Sequence, residues 1–178
     1  HLMSILFPKR RQNNMDIYTI SLLVENSAGV LSRVVGLFTR RGFNIHSLSV
    51  GPTNEEDISR ITIEVKGDAQ LVEQITKQLS KVLEVIKIKT LKNSEMVKRG
   101  IILCKIKTST KTRSEILEIA NIFRAKVVDI SQSTLIIELT GNQPKLEAFI
   151  EMLNPYGIEE IARTGMTALE RGSNILKA

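Results

Sequence analysis

The residues best suited to chemistry lie in one stretch, residues 24–45, which opens with a polar turn. Asn26 offers a side-chain amide there, Gly29 can adopt a positive φ angle, and an amphipathic helix follows. The first N–H groups of a helix lack intrahelical acceptors and carry partial positive charge, so this turn suits a small anion such as a carboxylate. No catalytic group lies in the turn. The sequence therefore predicts a sensor of a small molecule, an amino acid above all, rather than an enzyme.

The predicted binding groups are mostly backbone groups. A ligand carboxylate would rest on the N–H groups of Gly29, Val30 and Leu31. The Asn26 amide oxygen would then accept a hydrogen bond from a neighbouring ammonium group.

A second amide, Asn44, lies where the next strand begins and would reach the ligand across a dimer seam. Ile45 beside it, with Val30 and Leu31, would favour a branched apolar ligand. Spacing alone leaves purely structural roles open for these residues. Asn26 is equally suited to form a turn or to cap a helix, and Asn44 is equally suited to start a strand. Gly29 is equally suited to a turn that needs a positive φ.

Catalytic and metal sites find little support in the sequence. Ser32, Ser47 and Ser49 lack a histidine and a carboxylate at a convincing spacing. The two histidines, His1 and His46, are too few and too far apart for a metal site. No glycine-rich phosphate loop of standard spacing occurs.

Composition indicates an ordinary globular protein that binds neither nucleic acid nor membranes. Half of the net charge of +6 comes from three basic residues in the first 14 positions, and the remaining charge is mixed. No apolar run reaches the roughly 18 residues of a membrane span. The single cysteine, Cys104, predicts a buried thiol and a reducing compartment, the cytoplasm or a plastid. Residues 1–14 resemble a tag or leader and are expected to be disordered.

Hydrophobic periodicity predicts an α+β protein made of two consecutive ferredoxin-like βαββαβ units, each an antiparallel sheet with two helices on one face. Residues 15–92 form the first unit and residues 93–178 the second. In the first, strands are expected at 17–24, 43–50, 58–66 and 82–89, with helices at 30–41 and 68–80. In the second, strands are expected at 101–107, 126–130, 134–139 and 158–163, with helices at 114–123 and 143–153. Apolar and polar residues alternate along the strand 58–66, which is typical of a half-buried strand. Residues 91–99 form a charged connector, and residues 165–178 are assigned to no element.

The usual strand order places the strand 43–50 at a sheet edge without a proline or lysine guard. A homodimer through this edge is expected, unless a loop or the second unit covers it. RNA-recognition modules share the βαββαβ order, but they stack bases on aromatic residues that 58–66 and 101–107 lack.

Four blocks of the sequence, in order and spread over both halves, resemble one family. They are VENSAGVLSRVVGLFTRRGFNIHSLSVGPT at 24–53, ISRITIEVKGD at 58–68, IFRAKVVDIS at 122–131 and GIEEIARTGMTALERG at 157–172. The chain resembles the regulatory small subunit of acetohydroxyacid synthase, also called acetolactate synthase, whose N-terminal half is an ACT domain.

The resemblance implies a non-catalytic partner, without a cofactor of its own, for a large catalytic subunit that carries thiamine diphosphate, magnesium and FAD. The small subunit would activate that enzyme and make it sensitive to feedback by valine, in the synthesis of the branched-chain amino acids. It also implies that ACT domains pair side by side and hold the effector at their seam. Asn26, Gly29, Val30 and Leu31 would come from one protomer and Asn44 and Ile45 from the other.

The sequence departs from the family in two places. Gly100 lies where relatives often carry an acidic residue, and the leader through residue 14 has no counterpart in compact relatives. Relatives that respond to leucine or isoleucine leave the choice of effector open. The alternative function is an ACT-type amino-acid sensor that controls a different partner.

Overall fold

The computed structural model describes residues 16–178, which fold into two βαββαβ units, the second with one further strand. The leader predicted at residues 1–14 lies outside the described residues. The first unit consists of β1 (Asp16–Glu25), α1 (Val30–Arg41), β2 (Ile45–Pro52), β3 (Ile58–Gly67), α2 (Ala69–Leu79) and β4 (Val85–Leu91). The second consists of β5 (Met96–Lys107), α3 (Arg113–Phe123), β6 (Lys126–Ile130), β7 (Thr134–Gly141), α4 (Gln143–Leu153), β8 (Ile158–Arg163) and β9 (Thr167–Glu170).

Each unit forms one antiparallel sheet with the strand order of a ferredoxin-like fold. The order is β2-β3-β1-β4 in the first sheet and β6-β7-β5-β8 in the second. In each unit the two helices pack on one face of the sheet around a single apolar core. The predicted α+β class and the two βαββαβ units are therefore confirmed. The strand β2 lies at a sheet edge, as the sequence predicts.

Helix boundaries follow from capping residues that are visible in the sequence. Gly42 ends α1 in the left-handed region, at φ 67°, where its N–H donates to the carbonyls of Phe38 and Thr39. Asp68 begins α2, because its carboxylate accepts a hydrogen bond from the Leu71 N–H at 2.8 Å. Such a cap stabilises a helix by about 1 kcal/mol.

The second face of the first sheet is covered, which corrects the expectation of a half-buried β3. Strand β5 begins at Met96, earlier than predicted, and residues Met96–Arg99 pair with β9. We call this two-stranded segment, Met96–Arg99 with β9, the ribbon. It replaces part of the predicted charged connector, and it takes up Thr167–Glu170 from the tail that the sequence left unassigned.

The ribbon lies on the sheet face that points away from the helices. That face carries polar side chains in two rows across β2, β3 and β1, and three residues of the ribbon and β4 form a small apolar cluster beside them. The buried polar residues of this face are Thr19, Ser21, Thr62 and Glu64, and the apolar cluster is Leu91, Met96 and Ala168. In the first unit, the ribbon thus covers the face on which RNA-recognition modules stack bases.

Candidate functional site

Asn26 joins the turn before α1 to the loop between β2 and β3. Its Nδ2 donates to the Glu56 carbonyl at 2.9 Å, and its Oδ1 accepts from the Ser59 hydroxyl at 3.1 Å. Its backbone N–H donates to the Asp57 carbonyl at 2.7 Å. No side chain caps α1 in the described part of the chain, so the helix-cap role left open by spacing is wrong. Asn26 is an exposed turn residue whose amide is held in a fixed orientation.

Gly29 adopts the positive φ that the sequence predicts, with φ 85° and ψ −7° at the start of α1. Among the described residues, the N–H groups of Gly29 and Leu31 donate to no protein acceptor. The Val30 N–H has only a long contact of 3.5 Å with the Ser27 carbonyl. The first turn of α1 contains no acidic side chain. These N–H groups are therefore available to an anion.

Arg33 adds a positive charge at this turn and is absent from the site residues predicted from the sequence. Its guanidinium Nη1 lies 3.6 Å from the position that a Cβ at Gly29 would occupy. Its Nη2 also pairs with Glu84 Oε1 at 2.6 Å, and half of the Arg33 side chain is exposed. The sequence does contain a signal that Arg33 could belong to the site, because a residue four positions after Gly29 lies one helical turn further along the same face.

The aliphatic residues of the predicted site divide between core and surface. The side chain of Val30 is 3% exposed and belongs to the core of the first unit, so within one chain it offers no surface to a ligand. Leu31 is 37% exposed, and Ile45 is half-buried against the same core. The available apolar surface therefore comes from Leu31 and Ile45.

Asn44 is exposed and lies far from Asn26 within one protomer. Ile45, next to Asn44, pairs with Val65 of β3, whereas Asn26 contacts Ser59 near the opposite end of that strand. The rise of an extended strand puts these two levels roughly 20 Å apart. One chain thus brings Asn26, Gly29 and Leu31 together but leaves Asn44 and Ile45 at the other end of the sheet.

The described residues show no arrangement for nucleophilic or metal chemistry. They contain no cluster of metal-ligating side chains. Burial raises the pKa of the Cys104 thiol to about 11, which keeps it protonated near neutral pH. The Ser47 hydroxyl accepts a hydrogen bond from the Met166 N–H at 2.9 Å, and neighbouring His46 is exposed. No described helix is long and apolar enough to span a membrane.

Comparison with known families finds two matching family models, one on each unit. Residues 20–87 match the ACT domain found in small subunits of acetohydroxyacid synthase, and residues 99–172 match the small subunit of acetolactate synthase. The predicted ACT domain of the first unit is therefore confirmed.

Several relatives are similar over most of the chain. The chain is 51% identical over 156 residues to a protein named probable acetolactate synthase small subunit from Archaeoglobus fulgidus, covering 88% of this chain and 98% of the relative. It is 49% identical to the acetolactate synthase small subunit of Mycolicibacterium smegmatis, with 90% and 94% covered. A crystal structure of the acetolactate synthase small subunit from Thermotoga maritima has a TM-score of 0.84 and 41% identity, with 90% of this chain and 100% of that chain covered.

Proposed function

Because the chain belongs to the family of acetolactate synthase small subunits, we propose that it activates the large catalytic subunit and makes it sensitive to feedback by valine. The observation that carries this proposal is the turn at residues 26–31, which holds free N–H groups and the ordered Asn26 amide and has the Arg33 guanidinium beside Gly29. None of these groups is a nucleophile or a general base. In this proposal the small subunit is a non-catalytic effector-binding partner.

The effector site is completed by a second copy of the chain. A two-fold axis beside β2 would pair the edges of two copies in antiparallel fashion, with Ile45 of one copy near Pro52 of the other. Pro52 pairs with Ser59, and Ser59 contacts Asn26. This pairing therefore moves Asn44 of the partner subunit to the level of Asn26, which a single chain cannot do.

Valine suits the groups at this seam. Its carboxylate would accept hydrogen bonds from the N–H groups of Gly29, Val30 and Leu31 at the positive end of α1. Its ammonium would donate to Asn26 Oδ1, which retains one lone pair beside the Ser59 hydroxyl. The isopropyl group would contact Leu31 of the same protomer and, across the seam, Ile45 of the partner subunit. A Kd between micromolar and millimolar requires only about −4 to −8 kcal/mol of binding free energy.

Feedback then follows from linkage between two sites. Valine binds one arrangement of the dimer better than another, and the large subunit prefers the other arrangement. A coupling free energy of about 1 to 3 kcal/mol changes affinity roughly 5- to 150-fold. In this proposal thiamine diphosphate, magnesium and FAD belong to the large subunit, the small subunit has no cofactor of its own, and the complex works in the cytoplasm or a plastid.

Titration calorimetry of the purified chain with L-valine tests the effector site. We expect about one valine per protomer and no saturable heat with D-valine. Asn26→Ala and Asn44→Ala should each weaken binding by about tenfold or more, because each loses a hydrogen bond to a ligand whose groups are charged. Asn121→Ala, an exposed asparagine in the second unit, is the matched control and should bind as the wild type. Wild-type affinity in Asn44→Ala would move the site away from the seam.

Gly29→Asp separates feedback from activation. The aspartate places negative charge at the anion site, on a backbone with φ 85° that favours glycine. In the reconstituted enzyme it should abolish inhibition by valine and leave activation of the large subunit intact. Equal loss of both would argue against a separate effector site.

Two alternatives are decided by the same material. Stronger heat with L-leucine or L-isoleucine would change the effector and keep the site. If the chain is instead an ACT-type sensor for a different partner, it will fail to co-purify with a large thiamine-dependent subunit.

A further inference from the structure

The two units touch at a point on β2 where backbone meets backbone. Gly165, between β8 and β9, lies so close to Leu48 that a Cβ there would overlap the Leu48 carbonyl oxygen. The next residue, Met166, donates its N–H to the Ser47 hydroxyl at 2.9 Å. The Met166 side chain is 2% exposed and lies in the core of the second unit. We call this contact of Ser47 and Leu48 with Gly165 and Met166 the joint.

On the first unit, the joint sits next to the proposed effector residues. Strand β2 begins at Ile45, just after Asn44, and Ser47 lies two residues further along it. Strand β2 is an edge strand, so within one protomer only β3 holds its backbone. Among the described residues, β2 makes no backbone hydrogen bond outside its sheet. A change at the seam can therefore shift β2 at Ser47 more easily than it can shift a central strand.

On the second unit, the joint is anchored to the central strand β5 from both sides. Arg163 pairs with Ile102 before the joint, and Thr167 pairs with Arg99 after it. Between them the Thr164 N–H donates to the Ile101 carbonyl at 3.0 Å. A displacement of Gly165 and Met166 must therefore act on β5.

Away from the joint, two ion pairs connect the ribbon to the first sheet. Lys98 of the ribbon pairs with Glu64 of β3 at 2.6 Å, and Glu170 of β9 pairs with Lys89 of β4 at 2.6 Å. Beside the joint lies an open cleft of about 280 Å3 that includes His46 in its lining, and a cleft of about 340 Å3 is lined by Val50 of β2 and by Thr167 and Leu169 of β9. These clefts leave β2 room to move, whereas the two ion pairs tie the ribbon to β3 and β4.

We propose that the joint transmits the state of the effector site from β2 to β5, so that Ser47 and Gly165 couple valine binding to the second unit. This inference rests on the proposed function for the identity of the effector. The physical link itself is independent of which ligand is sensed, and it can be tested without one.

Hydrogen exchange without ligand tests the link. In Ser47→Ala the Met166 N–H loses its acceptor, and its exchange should accelerate by about fivefold, the factor expected for one ordinary hydrogen bond. Exchange in β9 should rise as well. Ser49→Ala is the matched control, because Ser49 lies on the same face of β2 and its side chain makes no hydrogen bond within the described chain. Unchanged exchange at Met166 and β9 in Ser47→Ala would overturn the joint.

The reconstituted enzyme tests the coupling. Gly165→Ala and Ser47→Ala should bind valine within about threefold of the wild type, while the factor by which valine changes activity falls by about tenfold. Gly51→Ala, which places a methyl group in open space on the same strand, should keep full inhibition. If Gly165→Ala does not fold, Ser47→Ala decides.

The outcomes separate the two proposals. Normal valine binding with full inhibition in Ser47→Ala would overturn the proposal that the joint transmits the state of the effector site, and it would leave the proposed function standing. Absence of valine binding in the wild type would overturn the proposed function. Hydrogen exchange without ligand would still test whether the joint links β2 to the second unit.

Discussion

Glu64 is the residue whose charge is most deeply buried in the contact between the units. Its side chain is 2% exposed, and its only charged partner among the described residues is Lys98, whose side chain is 18% exposed. A carboxylate on the outer face of a sheet is ordinarily solvated, and here the ribbon excludes the water. The Glu64–Lys98 pair therefore fixes where the ribbon lies.

Glu64→Gln should lower the free energy of unfolding by about 2 kcal/mol, because it leaves a largely buried ammonium group without its counter-charge. Urea denaturation with an unchanged m-value measures this loss. Glu73→Gln is the control, since Glu73 pairs with Lys77 on an exposed helix face where the two side chains are 64% and 69% exposed. That substitution should leave the free energy of unfolding close to that of the wild type, because solvent screens an exposed pair. Equal losses in the two variants would mean that the Glu64–Lys98 pair is effectively solvated.

The site residues show how far single positions can be predicted. Gly29 was predictable, because a polar turn before a helix requires a positive φ that few residues other than glycine adopt. The side chain of Val30 was not, because the rotation of α1 about its axis decides which residue of the first turn faces the core. Arg33 was overlooked because its helical position suggested solvent.

At the level of elements, β2 combines an open edge with a covered face. The outer face meets the second unit at Ser47, whereas no hydrogen bond of the described chain covers the edge. The alternative that the second unit covers β2 thus applies to its face and not to its edge. The edge remains available for the dimer we propose.

Val50→Lys tests that dimer. Val50 is 47% exposed on β2, so the isolated fold tolerates a lysine there. The charge of that lysine on the edge strand disfavours pairing with the edge of a second copy. We expect the dissociation constant of the dimer to rise by about tenfold or more, about 1.4 kcal/mol, and valine binding to weaken with it. Sedimentation measures the dimer. Val128→Lys, on the edge strand of the second sheet and 52% exposed, should leave it unchanged. A dimer that survives Val50→Lys unaltered would place the seam elsewhere.

At the level of the whole molecule, the two units share a buried contact and should unfold together. The chain has two tyrosines and no tryptophan, and Tyr18 packs on the first core whereas Tyr156 packs on the second. In Tyr18→Phe and Tyr156→Phe, the remaining tyrosine reports on one unit only. Its fluorescence transition should coincide with the far-ultraviolet dichroism transition of the same variant. Transitions several degrees apart would show that the ribbon does not couple the units.

The sequence by itself determined the two βαββαβ units, the order of their elements and the family. The predicted bounds of β6, α4 and β8 depend on neighbours along the chain, and each is confirmed. These features are local, so the local sequence carries the information.

Only the tertiary structure decided what covers the outer face of the first sheet. Hydrophobic periodicity indicates only one buried face of an element. From that pattern the polar residues Thr62 and Glu64 are expected to face solvent, whereas in the structure the ribbon buries them. The joint depends on Ser47 and Met166, which are 119 positions apart, and the distance from Asn26 to Asn44 depends on strand register. Contacts of this kind are set by packing between remote segments, which no local pattern records.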